Sequence, residues 1–220
     1  MLRVEAILFD FDGTLADTMS NHFFCWKTAL QEIGVSIGSD EYYPMEGASL
    51  YEIASKFSGL NDKNFLDKIV TRKKQLYIDA NKSGELRFYP GGANLIKSLT
   101  AKYPIAIVTA GHEDQLRATV PGEFLNLFST LICGDMVRKN KPSPEPYIRA
   151  CEKLSKEPTR CVVVENAPLG ITAAINAGCY CVGVQSTCNR EQLLEANEII
   201  PEISDLLDTK VLSRGTVDGF

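Results

Sequence analysis

The chain has 220 residues, 45% of them hydrophobic and 23% charged, and 23 Lys and Arg face 28 Asp and Glu for a net charge of −5. That length suits one large domain or one domain with an insertion, and the composition excludes a disordered or fibrous chain. No run approaches the roughly 18 apolar residues of a membrane helix, and no basic cluster offers a nucleic-acid footprint, so neither partner is expected.

Glu5 and Asp10 interrupt any signal-peptide pattern, and the seven Cys form no CxxC pair. Reduced thiols in a cytoplasmic protein are the expectation.

Val4–Asp10 is short, mostly apolar and followed by Asp12-Gly13, which predicts a strand buried on both faces. A helix is predicted from about Asp17 to Ile33, because Met19, Phe23, Trp26, Leu30 and Ile33 recur at steps of four and three before Gly34. Two more helical patterns follow near Ser49–Phe57 and Asn61–Asn81. In the second, Lys73 interrupts the stripe Phe65, Ile69, Leu76, Ala80. A Lys there either faces a cleft or snorkels at the edge of the stripe.

After Pro90-Gly91-Gly92 a helix (Ala93–Lys102) leads into the run Ile105–Val108. Helical stretches then alternate with the short runs Thr130–Cys133, Cys161–Val164, Cys181–Val184 and Glu198–Ile200. Such alternation predicts an α/β fold, a doubly wound parallel sheet with a Rossmann-like core. Residues 1–16 and 87–220 form that core on this reading, and 17–86 an inserted helical domain at the carboxyl end of the first strand, where ligands bind in open α/β sheets.

Asp10 and Asp12 end the first strand and point the same way. Two carboxylates so placed repel each other unless a cation or phosphate chemistry uses them; a simple Asp-Gly turn is the plainer reading. Thr109 ends the second run, and its hydroxyl suits a phosphate oxygen. Lys141 precedes a helix start, with Ser143 as expected N-cap and Pro144 at the first helical position, a place for an anion. Glu165 and Asn166 follow the run Cys161–Val164. With Asp10 and Asp12 they could make a hard oxygen site for Mg²⁺, unless Asn166 is only the N-cap of the next helix. Small residues in that helix (Gly170, Ala173, Ala174, Ala177) would let it lie close to the sheet. A parallel sheet gathers all of these groups along one edge.

Asp10-Phe11-Asp12-Gly13-Thr14-Leu15 resembles the DxDGT signature of the haloacid dehalogenase superfamily, and Thr109, Lys141-Pro142 and Glu165-Asn166 stand where that family's later motifs fall. The insertion resembles the helical cap of the beta-phosphoglucomutase-like subgroup, through Asn21–Lys27 with its His22 and through Arg72-Lys73 with Tyr77. The resemblance implies a Mg²⁺-dependent phosphatase acting on a small phosphorylated metabolite through an aspartyl phosphate. Asp10 would be nucleophile and Asp12 acid and base. Thr109, Ala110 and Lys141 would bind phosphate. Asp10, Asp12, Glu165 and Asn166 would hold the metal, and His22, Gly47 and Lys73 would face the substrate from the cap. Three positions depart from the mutase pattern. Leu50 replaces an Arg for a second phosphate, Ala110–Glu113 lacks a polar loop for it, and Asn166 replaces the commoner Asp. The first two point to hydrolysis, with a phosphosugar mutase as the alternative and an Asp-phosphorylated signalling domain a more distant one.

Overall fold

The computed structural model describes residues 3–81 and 86–213. Strand β1 (Ala6–Phe9) is wholly buried. Its alternation sends Ile7 and Phe9 into one apolar cluster and Ala6 and Leu8 into another, so both faces are covered. Helices α1 (Met19–Gln31), α2 (Ser39–Tyr42), α3 (Leu50–Ser58) and α4 (Lys63–Ala80) follow without an intervening strand. They share an apolar cluster of their own, built around Trp26, Leu30, Ile53, Leu66, Ile69 and Val70. Ser49 caps α3 in a reciprocal arrangement with Glu52, and Asp62 caps α4.

The chain leaves the sheet and returns to it at adjacent points. Ala16 bridges Phe88, the Asp17 amide donates to the Arg87 carbonyl, and the Tyr89 amide donates to that of Leu15. Beyond lie α5 (Gly92–Thr100), β2 (Ile105–Val108), α6 (Glu113–Thr119), α7 (Gly122–Leu125), β3 (Thr130–Ile132), α8 (Glu145–Leu154), β4 (Cys161–Glu165), α9 (Pro168–Asn176), β5 (Tyr180–Val184) and β6 (Glu198–Ile200). All strand pairs are parallel, in the order β3-β2-β1-β4-β5-β6. The order reverses between β1 and β4, which opens the crevice where doubly wound sheets bind ligands. The expected α/β architecture is therefore present. Among the described residues no helix is long and apolar enough to cross a membrane.

Several local expectations shift. Ile33 lies past the end of α1 and is 38% exposed, so the helix's apolar stripe ends at Leu30. In α4 the buried face runs Leu66, Ile69, Val70, Lys73, Tyr77 rather than through Leu76 and Ala80. The N-cap position of α8 is Pro144, not Ser143. The N-cap position of α9 is Ala167, not Asn166.

Candidate active site

β1 delivers Asp10 to the switch point. Phe9 pairs with Val164, and the Asp10 amide donates to the Val164 carbonyl, so Asp10 and Glu165 come side by side from adjacent strands. Lys141, in the loop before α8, is 1% exposed. Its Nζ donates to Asp10 Oδ1 at 2.6 Å, Glu165 Oε1 at 2.8 Å and the Val108 carbonyl at 3.1 Å. Burial alone would lower the Lys141 pKa, but the two carboxylates outweigh it and hold the ammonium well above its ordinary range. Burial raises the Asp10 pKa, and Lys141 opposes that rise.

Glu165 spends both oxygens inside the protein. Oε1 also accepts from the Tyr147 hydroxyl, and Oε2 accepts the amides of Asn166 and Ala167. Both amides lie just ahead of α9, so Glu165 fixes the turn that leads into that helix. Gly170 makes this possible, since a Cβ there would collide with the Glu165 carboxylate. The small residues of α9 therefore serve closeness to a particular acid as well as to the sheet.

Asp12 is held from three sides. Thr18 Oγ donates to Oδ1 at 2.8 Å, Thr109 Oγ to Oδ2 at 3.2 Å, and His22 Nε2 lies 2.9 Å from Oδ1. Lys73, fully buried, sits 2.8 Å from His22 Nδ1 and 3.4 Å from Gln115 Oε1. An ammonium can only donate, so His22 Nδ1 accepts and its Nε2 carries the proton given to Asp12. Burial and the Lys73 charge both push the His22 pKa down, which agrees with a neutral ring. Burial would raise the Asp12 pKa; His22, the Thr18 hydroxyl and Lys73 outweigh it and hold the carboxyl below its ordinary range. Burial lowers Lys73 to about 8, against the pull of Asp12. Its Nζ also lies 5.6 Å from the Trp26 ring and 5.1 Å from that of Tyr77, and Tyr77 stacks on His22. Lys73 faces the cleft and does not snorkel.

Asn166 is fully buried. Its Oδ1 accepts from Thr14 Oγ at 2.8 Å, and its Nδ2 donates to Glu46 Oε1 and to Thr187 Oγ. Glu46 comes from the helical block, in the loop between α2 and α3, and is 4% exposed. Thr187 Oγ lies 3.2 and 3.1 Å from its two oxygens. Burial pushes Glu46 up to about 8, and the neighbouring charges of Asp10 and Glu165 add to the rise. The two side chains meet over Gly13, whose φ of +86° and bare α-carbon the site requires.

A cleft opens among these groups, walled further by Met19, Trp26, Leu50 and Ile53. Ala110 and Gly47 line it as well, and Gly47 lies against the aliphatic stem of Lys141. The structure thus gathers Asp10, Asp12, His22, Gly47, Lys73, Thr109, Ala110, Glu165 and Asn166 on one cleft, with Lys141 directly beneath Asp10. Asp10 Oδ2 is buried and has no hydrogen-bond partner among the described residues. Among the described residues, no three acidic, His or Cys side chains are so placed that they could hold a metal ion by themselves. Mg²⁺ needs no such trio, because it keeps several waters and takes only one or two protein carboxylates. Sequence reasoning missed Glu46, Thr187, Gln115 and Tyr147. Only Tyr147 left a signal, as an aromatic whose hydroxyl must find a partner when buried.

The sequence pattern of the haloacid dehalogenase-like hydrolases matches residues 7–184. The validoxylamine A 7'-phosphate phosphatase of Streptomyces hygroscopicus subsp. limoneus is 29% identical over 92% of this chain and 95% of its own length. Hexitol phosphatase A of Escherichia coli is 26% identical over 95% of this chain and 96% of its own. The crystal structure of beta-phosphoglucomutase from Clostridium difficile superposes with a TM-score of 0.82 at 22% identity, covering 92% of this chain and 93% of that one, and shares the fold.

Proposed function

The chain belongs to the haloacid dehalogenase-like hydrolases, and from that premise we propose that it is a Mg²⁺-dependent phosphatase of a small phosphorylated metabolite, a sugar or sugar alcohol phosphate. The observation that carries this reading is Asp10: a buried carboxylate with one oxygen fixed by Lys141, the other unpartnered, and a second carboxylate two residues on. On this reading the described parts of residues 1–16 and 87–220 are the catalytic core, and those of 17–86 the cap that brings His22, Lys73 and Glu46 to it.

Asp10 attacks phosphorus, forming an aspartyl phosphate as the ester P–O bond breaks. Asp12 gives its proton to the departing alkoxide, releasing the alcohol. The Asp12 carboxylate then takes a proton from water, whose oxygen attacks phosphorus and frees Asp10 and inorganic phosphate. An incoming phosphate dianion beside Asp12 favours the protonated acid that the first step needs. Lys141 holds Asp10 in place and offsets charge near the phosphoryl oxygens. Thr109 and His22 fix the direction of the Asp12 carboxyl, and Lys73 fixes the His22 tautomer. Asp10 Oδ2, Asp12 and the amide oxygen of Asn166 would hold Mg²⁺, which neutralises phosphoryl charge when bound. Glu165, with both oxygens taken, would orient Lys141 and α9.

Leu50 and Ile53 put hydrocarbon on the cleft wall, and its basic residues, His22 and Lys73, already have partners. That disfavours a second phosphate on the substrate, and with it the phosphosugar mutase. Phosphate release from a panel of sugar and sugar alcohol monophosphates with Mg²⁺ tests the proposal. No release from any member would overturn it, and conversion of beta-glucose 1-phosphate to glucose 6-phosphate would establish the mutase instead.

A further inference from the structure

We propose that Glu46 supplies to the Mg²⁺ site, from the cap, the carboxylate charge that the core lacks at position 166. This rests on the metal dependence proposed above.

An amide oxygen at 166 can serve a hard cation but brings no charge, and cation affinity falls with the charge count of the ligands. Glu165 cannot make up the difference, because Lys141, Tyr147 and two amides occupy its oxygens. Glu46 remains. It is a buried carboxylate on the same amide, and it enters from a different part of the chain, 120 residues away in sequence.

The pairing also accounts for the amide. An Asp at 166 would set two carboxylates face to face with no proton donor between them. Asn166 instead offers Glu46 an N–H, and its oxygen takes the Thr14 hydroxyl. Thr187 donates its hydroxyl to Glu46. Gly13 leaves the space in which they meet, since a Cβ there would lie 2.5 Å from Glu46 Oε1. Asp10 Oδ2, buried and unpartnered, is an independent sign that positive charge belongs beside them. Because Glu46 rides on the cap, the full charge of the site is assembled only when the cap is docked. Metal affinity and docking are then linked, each strengthening the other by the same factor.

The test moves the charge. Mn²⁺ binding is followed by loss of the free-ion EPR signal, with Mg²⁺ as competitor, on the unsubstituted chain, Glu46→Gln and Glu46→Gln/Asn166→Asp. Glu46→Gln should weaken binding tenfold or more, the range for losing a group that supports a metal site. The double variant returns the carboxylate to the core and should bind within threefold of the unsubstituted chain. Equal affinity for Glu46→Gln and the unsubstituted chain, or a double variant no tighter than Glu46→Gln, would overturn the proposal. If Glu46→Gln is too unstable to titrate, the double variant decides alone: binding more than tenfold weaker than the unsubstituted chain refutes the exchange of charge. A chain that binds neither ion before substitution would overturn the metal reading itself, a failure distinct from that of Glu46.

Discussion

Two buried lysines meet at the cleft, one from the core and one from the cap. Lys141 stands between two carboxylates at 2.6 and 2.8 Å. Lys73, no more exposed, has only neutral groups within reach, His22 at 2.8 Å and Gln115 at 3.4 Å. Burial pushes both pKa values down. Carboxylates reverse the shift for Lys141, whereas Lys73 falls to about 8. One ammonium is a fixed part of the core's charge balance. The other is held at a cost that the nearby charge of Asp12 offsets only in part. Buried cations of the same type thus differ in what they can be exchanged for.

The core side should break most sharply at Asp10. Asp10→Asn removes the nucleophile and half of the charge around Lys141. Phosphate release should fall a thousandfold or more, the scale of losing a covalent route. Turnover within tenfold of the unsubstituted enzyme would end its assignment as nucleophile.

Lys141→Met leaves Asp10 and Glu165 buried without their cation. Breaking a buried pair from one side costs about 3–5 kcal/mol. Urea unfolding should show that loss, while Lys73→Met, which strands no carboxylate at contact distance, should lose much less. Equal losses from the two substitutions would erase the distinction between the lysines.

That distinction was only partly legible in the sequence. Asp10, Asp12, Thr109 and Glu165 sit at or just past strand ends, so a run of apolar residues followed by a polar one located each of them, and Lys141 was legible as a cation ahead of a helix start. Strand periodicity likewise gave the sheet. Lys73 was visible as a charge on an apolar stripe, though the stripe continues to Tyr77 because packing against α1 and His22 selects that face. Glu46 left no trace: one acid in a loop has no period, and a loop Glu is ordinarily solvated. Pro168 opens α9 as the sequence suggests, but the N-cap position is Ala167, because the Asn166 side chain is turned to Thr14, Glu46 and Thr187 instead.

The pH dependence of stability sharpens the same contrast. Lys73 titrates near 8 when folded and 10.5 when unfolded. Between those values the unfolded chain holds a proton that the folded chain has released, so this group makes stability rise with pH across that window. Below 8 both states are protonated and the full penalty stands, roughly 3 kcal/mol. Denaturant titrations of the unsubstituted chain and Lys73→Met from pH 7.5 to 10.5 should therefore diverge, with the unsubstituted chain gaining. Parallel curves would mean that Lys73 keeps its ordinary affinity for the proton.

The smallest effect expected concerns the leaving group, and it joins core and cap on one carboxyl. Asp12 lies on the core, but His22, oriented by Lys73, holds its Oδ1 at 2.9 Å. An alkoxide is a poor leaving group and needs the proton that Asp12 gives, whereas nitrophenolate departs without it. Asp12→Asn should then slow an alkyl phosphate about tenfold more than para-nitrophenyl phosphate. His22 acts on the same proton only through the direction of the carboxyl. His22→Gln should show the same bias toward the aryl substrate, weakened because Thr18 and Thr109 still hold Asp12. Equal losses on both substrates for Asp12→Asn would assign Asp12 to the hydrolysis of the aspartyl phosphate, a step the two substrates share. A bias for Asp12→Asn with none for His22→Gln would leave the acid intact but detach the cap from it.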